Sequence, residues 1–308
     1  MDAAKESLRE AYGAVLEEIG SDINVAVVGA DTTESLCTSG FGKKYPSRFF
    51  NVGIAEQNMV GISAGLALYG KTVFCGTYSV FMERAIDQIR NTIAYCNLDV
   101  KMVCSHAGIS VGPDGGSHQT IEDIAIMRSI PRMSVMVPSD AYSTKMLVHQ
   151  AYSTKGPFYI RLSRSSLPAQ YRSGEMPIGK SNVIMEGSDI SILACGIMVP
   201  EALAAAQELQ KEGISSRVID MYSIKPIDTA AILQAAKDTG RIITAEDHNI
   251  IGGLGSAVAE TISTAHPVKL GMIGVKDRFG ESGTPQELMA KYNISSLDII
   301  NMAKGMMQ

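Results

Sequence analysis

The chain alternates short apolar runs with longer segments of helical periodicity. In the first half, runs rich in Val and Ile predict strands at 23–29, 49–53, 72–77, 100–106, 134–139 and 158–163. Helical patterns fill the intervals between them, for example at 55–68, 81–95, 120–129 and 140–153. Continuous apolar strands that are separated by helices are typical of a parallel sheet covered on both faces.

The same alternation returns after a break at 166–187, which contains two prolines and three glycines and has no strong period. We interpret this break as a linker. Beyond it, the pattern predicts strands at 190–196, 216–224, 241–247 and 269–275, and helices at 199–212, 228–238, 255–265, 284–291 and 296–305. We therefore predict an α/β protein with two doubly wound, mostly parallel-sheet domains in series, at 1–165 and 188–308.

Composition excludes several classes of protein. The net charge of -5 does not favour a nucleic-acid partner. No uncharged stretch approaches the ~20 residues of a membrane span, and the first 20 residues predict a charged amphipathic helix rather than an export signal. The five cysteines include no C-x-x-C pair, which is typical of buried thiols in a reducing compartment. We expect a cytoplasmic protein without membrane contact.

Polar side chains follow several predicted strands, where ligands bind in doubly wound sheets. Asp31 and Ser35 follow the first strand, in a position that also suits helix capping. Glu56 lies in the first turn of an apolar helix, and a carboxylate in such surroundings suits proton exchange with a ligand. Tyr78 and Phe81 are spaced either for core packing or as a platform for a flat heteroaromatic ring.

The loop 106–119, HAGISVGPDGGSHQ, is richer in polar chemistry than a connection needs. We expect its glycines to let the backbone approach a ligand, and His106 and His118 to donate to hydroxyls or phosphate. A metal site formed with Asp114 is a rival interpretation, but the spacing matches no compact ligand motif, so we predict no metal ligand in this chain. Arg164 ends a strand, where anion binding is plausible.

Taken together, these segments resemble the transketolase family over nearly the whole chain. The resemblance rests on the order and spacing of GIAEQNM, GTYSVFMERA, HAGISVGPDGGSHQ, YIRLSRSSLP, AEDHNIIGGLGSAVAE and DRFGESGTPQEL. It implies that the first domain is a pyrimidine-binding domain for thiamine diphosphate and that the second is the C-terminal domain of the family. It also implies transfer of a two-carbon ketol unit (glycolaldehyde transfer) between a ketose phosphate and an aldose phosphate.

The resemblance assigns roles to individual residues. Glu56 matches the catalytic glutamate that hydrogen-bonds the aminopyrimidine ring. Further cofactor-binding positions are Asp31, Tyr78, Phe81 and Arg84, although many transketolases have an aromatic residue in place of this arginine. His106 matches a catalytic histidine near the reacting carbons. The remaining substrate-binding positions are Asp114 for a hydroxyl, and Ser35, His118 and Arg164 for a terminal phosphate.

One family motif is absent. Transketolases hold Mg²⁺ or another divalent ion and the diphosphate with a Gly-Asp-Gly motif and a following Asn, and this chain has no such motif. The resemblance therefore implies a partner chain, an N-terminal-half transketolase subunit, that supplies the motif and the ion. We expect an α2β2 heterotetramer and no activity from this chain alone.

Three alternatives remain open at this stage. A 2-oxoacid dehydrogenase E1 β subunit shares the layout, but His106 and Arg164 favour a polyhydroxylated anionic substrate. A 1-deoxyxylulose-5-phosphate synthase matches better at Arg84 and worse at His106, where it has an acidic residue. A noncatalytic regulatory subunit would have no need of Glu56 and the loop 106–119.

Overall fold

The computed structural model describes residues 5–308, in which strands and helices alternate. The strands are β1 Lys5–Glu6, β2 Val25–Gly29, β3 Phe49–Asn51, β4 Thr72–Gly76, β5 Val100–Cys104, β6 Ser134–Met136, β7 Phe158–Arg161, β8 Leu167–Pro168, β9 Asn182–Met185, β10 Ile190–Ala194, β11 Ser216–Asp220, β12 Ser223–Lys225, β13 Arg241–Asn249 and β14 Lys269–Val275. The α-helices are α1 Leu8–Ile19, α2 Ser39–Lys44, α3 Glu56–Leu68, α4 Ser79–Met82, α5 Ile86–Gln88, α6 Asp123–Ser129, α7 Ala141–Ser153, α8 Met198–Lys211, α9 Thr229–Thr239, α10 Leu254–Ala265, α11 Pro285–Lys291 and α12 Ser296–Met307.

Two sheets organise the molecule. The first has seven strands in the order β12-β6-β7-β5-β4-β2-β3, and the second has five in the order β14-β13-β10-β11-β9. All neighbouring strands are parallel except the edge strands β12 and β9, which run antiparallel. Every residue of β2, β4, β5, β7 and β10 is buried, as their continuous apolar runs require. The predicted α/β fold class is confirmed, and the domain boundaries stay a prediction.

The segment predicted as a linker, 166–187, contains regular structure. Strand β8 pairs with β1 near the start of the chain, and β9 is the antiparallel edge of the second sheet. Only half-buried and exposed residues form β9, so it lacks the continuous apolar run of the central strands. A half-exposed edge strand is hard to distinguish from a connection in the sequence, which explains the difference.

The predicted strand 216–224 is two strands in different sheets. Strand β11 ends at Asp220 in the second sheet, and after two residues β12 pairs antiparallel with β6 of the first sheet. The apolar run is continuous because both pieces are buried, and burial alone does not show which sheet a strand joins. The two halves of the chain therefore share a sheet.

Three predicted helices also differ from the structure. The segment predicted as one helix, 81–95, consists of α4, a 3-10 turn at Glu83–Ala85, α5 and a π-helical segment at Ile89–Ala94. The helix predicted at 120–129 begins later, at Asp123. The N-terminal helix is α1, and residues 1–4 of that prediction lie outside the described residues. Across residues 5–308, no helix has both the length and the hydrophobicity to cross a membrane.

A buried carboxylate lies where the two sheets meet. Asp220, at the end of β11, is fully buried, and its Oδ2 accepts hydrogen bonds from the Ser139 hydroxyl (2.6 Å) and the Tyr171 hydroxyl (2.8 Å). Burial, opposed by the two hydrogen bonds and reinforced by the nearby Asp140 carboxylate, raises the pKa of Asp220 to about 7. The pKa of this carboxyl group is therefore moved from the acidic range towards neutral pH.

This shift predicts a pH-dependent stability. Because the pKa is raised in the folded state, the contribution of Asp220 is fully present below its unfolded pKa and is lost as the pH rises through about 7. Between pH 5 and pH 8, the free energy of unfolding of the wild type should therefore fall by roughly 2 kcal/mol more than that of D220N. The measurement is urea unfolding followed by circular dichroism. D238N is a control, because Arg217 lowers the pKa of Asp238 and its titration lies below this range. Equal pH slopes for wild type and D220N would contradict the prediction.

Candidate active site

The predicted site residues lie at one edge of the first sheet. Asp31 follows β2, Tyr78 follows β4, His106 follows β5 and Arg164 follows β7. These four strands are neighbours and all run parallel. Their carboxyl ends therefore meet at the same edge, which is where doubly wound sheets bind ligands.

Glu56 is the first residue of α3 and forms an ion pair with Arg84. The Glu56 side chain is only 4% exposed, and its Oε1 lies 3.3 Å from Nη1 of Arg84, whose side chain is 59% exposed. The Arg84 guanidinium also lies 5.1 Å from the centroid of the Phe81 ring. The arrangement presents a carboxylate from a helix N-terminus, where the helix dipole favours negative charge, and pairs it with an arginine that lies over an aromatic ring.

Four rings form a cluster next to this ion pair. The Tyr78 ring is stacked on His106 with centroids 3.8 Å apart and on Phe81 with centroids 5.3 Å apart. The His118 ring meets Phe81 edge-on at 5.4 Å. Tyr78 and Phe81 are only half-buried, so their spacing does not serve core packing alone. The structure thus brings together four residues that lie in two separate segments of the sequence.

His106 is held in an unusual state by its surroundings. Its backbone has a φ of 58°, which is uncommon for a residue other than glycine, and its Nδ1 lies 2.8 Å from the Ser105 hydroxyl. Burial, reinforced by the positive charges of Arg9 and Arg164, lowers the pKa of His106 to about 3. The imidazole is therefore neutral at neutral pH and has one donor and one acceptor nitrogen for hydroxyl groups.

Cationic side chains gather around Ser35. The Tyr78 hydroxyl donates to the Ser35 hydroxyl (3.0 Å), and Arg9 donates to the backbone carbonyls of Ser35 (2.9 Å) and Arg164 (3.3 Å). Arg164 donates to the Val111 carbonyl (2.6 Å) and lies 3.6 Å from the Asp114 carboxylate. Sequence reasoning missed Arg9, because nothing in the helical pattern of α1 shows that this side chain reaches the residues that follow β2 and β7.

Asp31 stands apart from this chain of contacts. Its backbone amide donates to Oδ1 of Asn51 (3.0 Å), and the same oxygen accepts a bond from the Gly53 amide (3.1 Å). Gly53 lies three residues before Glu56, so Asp31 supports the turn that leads into α3. In residues 5–308 there is no group of three His, Cys, Asp or Glu side chains placed to hold a metal ion.

Comparisons with known proteins agree with this arrangement. The pyrimidine-binding domain of transketolase matches residues 4–170, and the transketolase C-terminal domain matches residues 179–299. The chain belongs to the transketolase family. The resemblance seen in the motifs is therefore confirmed, and both sheets fall within matched regions of the transketolase family.

Three similar proteins extend the comparison. A putative transketolase C-terminal section of Methanocaldococcus jannaschii is 46% identical, over 98% of this chain and 96% of its own length. The 6-deoxy-6-sulfo-D-fructose transketolase subunit SqwH of Clostridium sp. (strain MSTE9) is 40% identical, over 96% and 93%. A solved structure described as a split gene transketolase, inactive beta4 tetramer, is 43% identical, with a TM-score of 0.90 over 99% of both chains. Transketolase relatives of matching length are thus sections or subunits.

Proposed function

We propose that this chain is the pyrimidine-domain subunit of a split, thiamine-diphosphate-dependent transketolase that moves a two-carbon ketol unit from a ketose phosphate to an aldose phosphate. The observation that carries the proposal is the buried Glu56 carboxylate, which lies at a helix N-terminus and pairs with Arg84, whose guanidinium lies over the Phe81 ring. The arginines near Ser35 support it: Arg9 donates to the Ser35 and Arg164 carbonyls, and a sugar phosphate needs cationic groups of this kind.

The residues present fit the coenzyme. A pyrimidine ring needs an aromatic surface and an acceptor for its ring nitrogen proton, which Phe81, Tyr78 and Glu56 would supply. Arg84 would neutralise and orient Glu56, and Asp31 would hold the turn before α3. When bound, thiamine diphosphate supplies the electron sink of ketol transfer. Glu56 would hold or release the proton at the pyrimidine nitrogen.

The substrate would lie between the ring cluster and the arginines near Ser35, at what we call the anion pocket. Ser35, His118, Arg164 and Arg9 would bind a terminal anion there, and Asp114 and His106 would be available for hydroxyl groups. A neutral His106 can donate to one substrate oxygen while its other nitrogen remains bonded to Ser105. Because a relative is named for a sulfonated sugar, a sulfonate is the second anionic group that this pocket would fit.

The surface of α3 supports a partner chain. Ile54 (76% exposed) lies just before this helix and Leu68 (71% exposed) ends it, and a Cβ atom built at Gly61 or Gly65 would have open space around it within 4 Å. An apolar helix that exposes such residues marks an interaction surface. We propose that it packs against a chain with the Gly-Asp-Gly motif and its divalent ion, in a cytoplasmic α2β2 assembly.

The proposal predicts that activity depends on the partner. This chain, purified alone, should show no ketol transfer with thiamine diphosphate, Mg²⁺, a ketose phosphate and an aldose phosphate. Adding a purified partner that carries the motif should produce transfer, because both halves are needed to hold the coenzyme. Ketol transfer by this chain alone would contradict the proposal. So would the absence of transfer by the assembled pair with both phosphorylated and sulfonated ketoses.

A further inference from the structure

The second domain reaches the loop 106–119 through one buried carboxylate. Asp247 lies near the end of β13 and is almost fully buried. Its Oδ1 accepts a hydrogen bond from the Ile109 amide (2.9 Å), and its Oδ2 accepts one from the Ser110 amide (3.3 Å). These amides begin the 3-10 turn Ile109–Val111, so Asp247 caps a turn that belongs to the other domain.

The glycines of this loop pack against the second domain. Gly108 has a φ of 81°, and a Cβ atom built there would lie 2.0 Å from Oδ2 of Asp247. A Cβ atom at Gly116 would lie 2.7 Å from the Gly280 carbonyl oxygen. At both positions the close neighbour is an atom of the second domain, which gives these glycines a role in packing between the domains, and the expectation that they approach a ligand stays a prediction.

Gln119 ties the other end of the loop to the same domain. Its side-chain amide donates to the carbonyls of Ile109 (3.1 Å), Gly112 (3.2 Å) and Glu281 (3.0 Å). Two of these acceptors belong to the loop and the third to the second domain. The side chain is buried, so water does not compete for these hydrogen bonds.

The loop held in this way carries three of the site residues, His106, Asp114 and His118. Its Val111 carbonyl also accepts the hydrogen bond from Arg164. On the basis of the proposed function, we propose that Asp247 is a positioning residue, through which the C-terminal domain sets the conformation of the substrate loop. The coenzyme side of the site, with Glu56 and Phe81, lies on other elements, α3 and α4.

The backbone at Asp247 is fixed independently of its carboxylate. Arg161 donates to the Asp247 carbonyl oxygen (2.9 Å) and forms an ion pair with Asp123. The Asn249 amide donates to the Ile121 carbonyl (2.8 Å), two residues further along β13. Removing the carboxylate should therefore release the loop and leave the domains in contact.

The test compares D247A and D247N with D228A in the assembled pair. Asp228 accepts hydrogen bonds from the Ser181 and Ala231 amides, within the second domain, so D228A is a control for loss of stability alone. In D247A, hydrogen exchange at the Ile109 and Ser110 amides should be faster, because their acceptor is gone. KM for the ketose phosphate should rise and kcat/KM should fall on the order of 10²-fold, whereas the Kd of thiamine diphosphate should not change.

D228A should lower the thermal midpoint and leave loop exchange and KM as in wild type. If D247A does not fold, the test uses D247N. Asparagine keeps the shape of the side chain, but its NH2 group would face one of the two loop amides, and two donors cannot form a hydrogen bond. Loop exchange and KM equal to wild type in a folded Asp247 variant would overturn the proposal. If the wild-type pair shows no ketol transfer, the proposed function fails, and the exchange rates alone then support or overturn the positioning role.

Discussion

E56Q is expected to reduce ketol transfer by the assembled pair by roughly 10²–10⁴-fold. The substitution keeps the length of the side chain and removes its negative charge, so the group that would exchange a proton with the pyrimidine nitrogen is lost. The fold should be little affected, because the ion pair partner Arg84 is 59% exposed and water can replace the carboxylate. The measurement is steady-state transfer at saturating thiamine diphosphate, with saturation established by titration.

The matched control for this variant is E34Q. Glu34 precedes Ser35 and is exposed, and within residues 5–308 its carboxylate accepts a hydrogen bond only from the Ser39 hydroxyl, at 3.3 Å. E34Q should change the rate of ketol transfer less than twofold, because surface substitutions usually have small effects. If E56Q and E34Q have similar rates, the assignment of Glu56 as the catalytic carboxylate is wrong.

D123A is expected to be the most destabilising of the substitutions considered. Asp123 is buried, and its Oδ2 accepts hydrogen bonds from Arg161 Nε (2.8 Å) and the Tyr159 hydroxyl (2.7 Å). Without it, the buried guanidinium of Arg161 keeps the Asp247 carbonyl as its only hydrogen-bond acceptor in residues 5–308. Breaking one side of a buried pair costs about 3–5 kcal/mol, which corresponds to a thermal midpoint lower by roughly 10 °C.

A double substitution shows whether the instability of D123A comes from the unpaired charge of Arg161 or from lost packing. D123L/R161M replaces both charges with apolar groups, so no buried charge is left alone, and it should be less destabilised than D123A. E208A, which breaks an exposed pair with Lys211, should have little effect. A double variant that is less stable than D123A would show that the cost comes from packing around these residues instead.

The sequence was sufficient for the fold class because the central strands are buried on both faces. Strands such as β2 and β5 are short apolar runs between helices, and their parallel order follows from that alternation. The site residues that follow these strands were predicted for the same reason. Tyr78 and His106, for example, come from neighbouring strand ends, and the structure stacks them.

Other features depend on contacts between distant segments, which no local pattern records. Arg9 lies on α1 and reaches the site through a hydrogen bond to the Ser35 carbonyl, 26 residues further along the chain. The role of Asp247 depends on a loop that precedes it by 137 to 138 residues. Glycine is needed wherever the backbone lies close to another group, whether that group is a ligand or another part of the protein. The sequence alone therefore does not show that Gly108 and Gly116 lie against the second domain.

The edge strand β12 limits how this protein can be divided or recombined. It completes the first sheet, yet it lies between β11 and β13 of the second sheet. A single cut of the chain between residues 5 and 308 therefore cannot separate the two intact sheets. Either one sheet loses strands, or both sheets stay in the same fragment. In a chimera joined within 166–187, β12 would come from the relative and would have to pair with β6 of this chain. Exchange of C-terminal domains among relatives therefore requires matching residues where β12 meets β6.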